Sequence, residues 1–254
     1  MVLMENDILH KFTKDIFWGV FLFLLLSLAV FMVWDRVKPP ELKSEHEVGW
    51  REDFSDIVVS GKNIIPRNWK IKGKPGTPVS VFTVKEGSDK ESNVLFLASD
   101  KSSGSLVTLV KDIDLEETPI MRWRWKADIL PENADGRQAS KDDQAIGIYI
   151  GDGSLLNSKS VSYRWDTITP KLTEGDAVYG MGAVKVKWIT LRNSEDAGKG
   201  EWVTENRDVL SDFEKAWRFV PKKLYVSVTT NSQYTSTRAA AQLDWIEFTS
   251  DNKK

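Results

Sequence analysis

In Ile120-Met121-Arg122-Trp123-Arg124-Trp125-Lys126-Ala127, apolar and basic side chains alternate with a period of two from Met121 onward. A strand sends successive residues to opposite faces, whereas a helix would scatter this pattern around its axis. Read as a strand, the segment places Met121, Trp123, Trp125 and Ala127 on one face and Arg122, Arg124 and Lys126 on the other. The plain consequence is a half-buried strand whose tryptophans fill a core while its bases meet water. The functional consequence is a groove in which Arg122 and Arg124 bind hydroxyls or a carboxylate, a task suited to the guanidinium fork. Tyr163-Arg164-Trp165 divides in the same way, with Tyr163 and Trp165 sharing a face and Arg164 opposing them.

Outward from this segment the pattern repeats. Short apolar runs occur at Pro78–Lys85, Asn93–Ala98, Leu106–Val110, Ala145–Ile150, Val161–Trp165, Val184–Leu191, Leu224–Thr230 and Ala240–Phe248. Turn signals such as Lys74-Pro75-Gly76 and Gly151-Asp152-Gly153 separate them. Many short strands with such turns predict an all-β antiparallel sandwich or barrel over residues 50–249. Arg207 to Phe219 departs from the pattern. Leu210, Phe213, Ala216 and Trp217 recur at helical spacing, Ser211 with Glu214 forms a capping box, and Val220-Pro221 ends the segment. A short helix is expected there, over one edge or mouth of the sandwich. Nine of the eleven tryptophans fall between Trp50 and Trp245. Such a load suits a dense core, and an indole left on the surface, such as Trp202, suits stacking on a sugar ring.

The N-terminus has another character. Ile16 to Trp34 carries no charge, and at 1.5 Å per helical residue it spans roughly 28 Å, close to the thickness of a bilayer core. Trp18 and Trp34 stand near its ends, where indoles favour the membrane interface. The run closes on Phe-Met-Val-Trp-Asp-Arg, without a small-residue cleavage site, so an uncleaved single-pass transmembrane helix is expected rather than a signal peptide. This divides the chain into a leader (1–15), an anchor (16–34), a linker stiffened by Pro39-Pro40 (35–49), the β-domain (50–249) and a tail (250–254). Lys11 and Lys14 precede the span and Arg36, Lys38 and Lys43 follow it, so flanking charge does not orient it. A short leader before a long domain fits a signal anchor, with the domain periplasmic or otherwise extracytoplasmic.

Composition removes whole classes of chemistry. No cysteine is present, which excludes disulfides, thiolate nucleophiles and iron–sulfur clusters. The two histidines, His10 and His46, precede the folded domain, so serine triads and HExxH zinc sites have no imidazole to use. Net charge is −2 with both signs mixed along the chain, and no basic stripe points to nucleic acid. Carboxylates remain. Asp142-Asp143 before a strand invites a structural Ca²⁺, but a loop there needs no metal. Asp208 and Asp212 lie four apart on the expected helix beside Arg207, whose default role is an ion pair. No catalytic residue, metal site or cofactor is assigned.

Taken in order, Asp53-Phe54, Val94-Leu95-Phe96-Leu97, Trp123-Arg124-Trp125, Lys141-Asp142-Asp143, Ser162-Tyr163-Arg164-Trp165, Asn206-Arg207-Asp208, Asp212-Phe213 and Ala241-Gln242-Leu243-Asp244-Trp245-Ile246-Glu247-Phe248 resemble the bacterial family DUF3047. The resemblance implies a jelly-roll-like sandwich similar to carbohydrate-binding modules, in an exported or envelope protein. Gly147 and Thr230 to Thr235 depart from the family's pattern, which carries an arginine and an acidic stretch there. The expected function is non-catalytic binding of a glycan or similar polar ligand, with Arg122, Arg124, Tyr163, Arg164, Trp165, Trp202 and Arg207 as ligand candidates. A scaffold for an envelope protein partner is the alternative. A polysaccharide hydrolase or lyase is the third reading, drawing on Asp142, Asp143, Asp208 and Asp212.

Overall fold

A computed structural model describes residues 48–250 apart from 62, 88–91, 112, 155–156 and 197–199. The leader, the expected anchor and all but the last residues of the linker lie outside the described residues, as does most of the tail. No helix among the described residues is long and apolar enough to cross a membrane.

The domain is an all-β sandwich of two sheets. One contains, in spatial order, β11 (Val203–Asp208), β6 (Ile120–Ile129), β13 (Arg238–Thr249), β4 (Asn93–Asp100) and β3 (Val81–Glu86), with β1 (Val48–Glu52) also paired to β13. The other runs β2 (Lys70–Gly73), β5 (Ser103–Val110), β12 (Leu224–Asn231), β7 (Gln144–Gly151), β8 (Ser158–Trp165), β10 (Val184–Arg192) and β9 (Glu174–Tyr179). The alternation predicted for Ile120–Ala127 holds: Met121, Trp123, Trp125 and Ala127 are buried, while Arg122 and Arg124 face outward. Their indoles meet the second sheet in a chain of rings. Trp123 stacks on Tyr163 at 5.3 Å between centroids, Trp125 meets Trp123 edge-on at 5.4 Å, and Trp165 closes on Trp125 at 5.6 Å. Each such pair adds about 0.5–1.5 kcal/mol beyond the area it buries.

Two expectations are corrected. The sheets are not wholly antiparallel, because β10 pairs with β8 in parallel. The reason lies in the connection after Trp165. Residues 166–173 carry the chain past one strand's width, β9 forms the edge, and the turn at Gly180–Gly182 returns β10 into the gap between β8 and β9. The helix α1 (Val209–Trp217) sits where periodicity placed it, but its N-cap is Asp208, not Ser211. The Asp208 carboxylate accepts from the Ser211 amide at 2.8 Å and from the Ser211 hydroxyl at 2.7 Å, so Ser211 is the partner of the cap. β1, β2, β9 and β11 were not expected. They are short or edge strands with largely exposed or polar residues, such as Lys-Ile-Lys-Gly in β2 and Val-Thr-Glu-Asn-Arg-Asp in β11, and so lack an apolar alternation.

Candidate functional site

The outward face of the six-stranded sheet gathers charge and aromatic rings in layers. Arg122, Arg124 and Lys126 project from β6, Arg51 from β1, and Trp245 and Glu247 from β13, with Trp202 just before β11. A β-bulge between Leu243 and Trp245 places Asp244 and Trp245 consecutively on this face before the inward alternation resumes at Ile246. Arg51 and Arg122 flank the Trp245 ring at 4.9 and 5.9 Å. Arg124 and Lys126 lie over Trp202 at 5.2 and 5.1 Å. Beneath them, Glu247 takes Nη1 of both Arg51 and Arg122, and Asp244 takes Nη1 of Arg124 at 2.8 Å. The depth ordering is marked. The Asp244 and Glu247 side chains are 8% and 7% exposed, while those of Arg122 and Arg124 are 34% and 37% exposed.

The outward face of the other sheet is charged too, but sealed. Arg164 is fully buried, with Nη1 donating to Asp142 at 2.7 Å and Nε to Asp166 at 3.0 Å, and its guanidinium lies 5.0 Å from the Trp188 ring. Tyr179 donates to the second oxygen of Asp142 at 2.8 Å, and Thr190 to Asp166 at 3.1 Å. Asp143 accepts from Asn231 at 2.9 Å and from the amide and hydroxyl of Thr235 at 2.7 and 2.8 Å. Burial works against the Arg164 charge, yet Asp166 and Asp142 together outweigh it and hold the guanidinium above its ordinary value. Asp166 moves up, because burial penalises its charge more than Arg164 and the hydroxyls of Thr169 and Thr190 restore it. Gln144 lies across Gly147, donating to Tyr149 and Thr229, in a space that a Cβ at 147 would take: it would stand 2.7 Å from the amide nitrogen. Here Gly147 is where the packing of Gln144 leaves no room for a side chain.

A third cluster closes the sandwich edge under α1. Tyr163 donates to Asp212 at 2.6 Å, Arg207 grips the same carboxylate through Nε and Nη2, and its guanidinium lies 5.5 Å from the Tyr163 ring. Burial first, and then the Asp212 charge, push the Tyr163 phenol well above its ordinary value. Beside it runs a cleft of about 340 Å³ between Val161, Ile189 and Ala216, rimmed by the ion pairs Glu174–Lys215 and Asp176–Lys187, each 2.6 Å.

The candidate residues therefore separate into three places. Arg122, Arg124 and Trp202 come together on an open face. Tyr163 and Trp165 are core residues, so neither can stack on a ligand at the surface, and Arg164 is reached by no solvent. Arg207 belongs to the edge cluster. Asp142, Asp143 and Asp212 are held by internal donors and Asp208 caps a helix, so each of the four carboxylates already has fixed donors. Among the described residues no group of three His, Cys, Asp or Glu side chains converges as metal ligands do. Trp245 joins the ligand candidates only in the folded chain. Its alternation with Ile246 and Phe248 gave its direction, but the bulge that brings Asp244 beside it is invisible in composition.

With this geometry in hand, a family model described as "Protein of unknown function (DUF3047)" matches residues 67–247. The chain belongs to that family. Among curated proteins, none matches it. Solved structures similar to it include the family 11 carbohydrate-binding module of the cellulosomal cellulase Lic26A-Cel5E of Clostridium thermocellum, at TM-score 0.44 and 10% identity, covering 81% of this chain and 95% of that one. The xyloglucanase domain of NopAA from Sinorhizobium fredii, in complex with cellobiose, is similar at TM-score 0.43 and 10% identity, covering 71% of this chain and 92% of that one. The K3 cleaved adhesin domain of Lys-gingipain from Porphyromonas gingivalis reaches TM-score 0.37 at 14% identity, covering 80% of this chain and all of that one.

Proposed function

We propose that this DUF3047 member is a membrane-tethered, non-catalytic domain with a jelly-roll-like fold that binds a glycan on the outward face of its six-stranded sheet. One observation carries the reading: Trp202 and Trp245 lie on an open face beside Arg51, Arg122 and Arg124, each of which pairs with Glu247 or Asp244 buried beneath. Sugar recognition needs an apolar ring face and directed hydrogen-bond donors together, and this face supplies both. The fixed partners of Asp142, Asp143, Asp208 and Asp212 favour binding over hydrolysis, which requires one carboxyl group to protonate the leaving oxygen and another to attack or activate water. The uncharged run 16–34 supports the tether, with the domain on the extracytoplasmic side.

Two measurements test this reading. The full chain should stay in the membrane pellet through an alkaline carbonate wash, and release into the supernatant contradicts the anchor. On an array of neutral and acidic polysaccharides it should retain at least one, and Trp202→Ala with Trp245→Ala should abolish that retention. A chain that retains none contradicts the glycan reading. A protein partner is the second reading, favoured by the open β9 edge, where Val178 is 62% exposed and Met181 fully exposed. A single stoichiometric protein cross-linked from position 181 in membranes would support it.

A further inference from the structure

We infer that the glycan is anionic, carrying carboxylate or a similar planar oxyanion on its sugars; this deepens the reading above and rests on it. Arg122 and Arg124 each donate one N–H, from Nη1, to a buried carboxylate. A guanidinium has five N–H donors, and its Nε–Nη2 edge can grip a carboxylate through two parallel bonds. Among the described residues nothing occupies that edge on either arginine. The two residues are alternate on β6, so their forks repeat about 7 Å apart along one face. Formal charge on the face is nearly balanced, since Glu247, Asp244 and Asp128 answer Arg122, Arg124 and Lys126. The layering decides what a ligand meets. Glu247 and Asp244 sit under the guanidiniums and the indoles, so a polymer approaching Arg122 and Arg124 finds free donors and ring faces with that negative charge already engaged below, while Asp128 stays exposed farther along β6. The Trp245 and Trp202 rings, 5.9 and 5.2 Å from the guanidinium carbons of Arg122 and Arg124, restrict where each guanidinium can move, which lowers the cost of ordering it around an oxyanion. A neutral sugar would leave both free edges with water alone.

The test uses the full 254-residue chain in nanodiscs of zwitterionic lipid, captured on a biosensor. The probes are polygalacturonate, the same polymer after reduction of its carboxyl groups, and vesicles containing anionic phospholipid. Polygalacturonate should bind at least tenfold more tightly than the reduced polymer, and its affinity should fall as salt rises. Arg122→Lys with Arg124→Lys keeps the charge above Glu247 and Asp244 but removes the fork, so the variant should stay folded by circular dichroism and lose about tenfold in affinity. Equal binding of the two polymers overturns the anionic class while leaving the glycan reading standing. Unchanged affinity in the double lysine variant overturns the role of the forks. Binding to anionic vesicles with none to polygalacturonate overturns both and makes the face a lipid-docking surface.

Discussion

Arg124 and Arg164 occupy the same position in two matching patterns, each an arginine flanked by aromatic residues on an alternating strand, yet one is a third exposed and the other is sealed. The difference comes from what covers them. Arg124 faces solvent over Trp202, whereas Arg164 packs so closely under Gly136 that an added Cβ there would stand 3.2 Å from the guanidinium carbon, and it is gripped by Asp142 and Asp166. Removing one partner of a buried ionic group leaves the others uncompensated, at about 3–5 kcal/mol. Arg164→Leu should therefore lower unfolding stability by about that amount in urea, and adding Asp142→Asn and Asp166→Asn should restore part of it. A titration follows from the edge cluster. Burial and Asp212 raise the folded-state pKa of Tyr163, so the neutral phenol favours the fold. That contribution is complete below the unfolded value of about 10 and is lost as pH rises beyond it. Stability should fall above pH 10, and by less in Tyr163→Phe, as followed by urea midpoints across that range.

At the scale of elements, nine strands and the helix were legible because each carries a buried apolar run or stripe: one-sided in β3, β5 and β12, which leaves a period of two, and nearly continuous in β7 and β13, which are covered on both sides. β1, β2, β9 and β11 left no such mark, since an edge strand is held by backbone bonds and one neighbour rather than by an apolar stripe. The parallel pairing of β8 with β10 was equally hidden. It follows from the way β9 is held at the sheet's edge, and that in turn depends on a glycine. Gly175 lies opposite Trp188, and a Cβ there would fall 2.1 Å from the indole. Gly175→Ala should cost about 1–3 kcal/mol through overpacking. Hydrogen exchange should localise the loss to β9 and the adjoining half of β10. Uniform loss of protection across both sheets would contradict this account of the edge.

For the whole molecule, the sandwich presents two outward faces of opposite design. On the seven-stranded sheet the charges are turned inward into a closed network that ties the loop at Asp142-Asp143 to Asn231 and Thr235. On the six-stranded sheet the guanidiniums of Arg51, Arg122 and Arg124 and the indoles lie over the buried carboxylates of Glu247 and Asp244. The sequence announced the second face through Arg122 and Arg124, but its extent could not be read, because Arg51, Trp202 and Trp245 reach it from three other places in the chain. The first face gave a false lead at Arg164, since alternation tells which side a residue takes and not what lies over it. The central claim, that the layered face is where a glycan binds, is tested most directly by hydrogen–deuterium exchange of the full chain with and without saturating polygalacturonate. Protection is predicted in β6, β11 and the second half of β13, with the seven-stranded sheet unchanged. Protection concentrated instead in β5, β7 and β12 would contradict it.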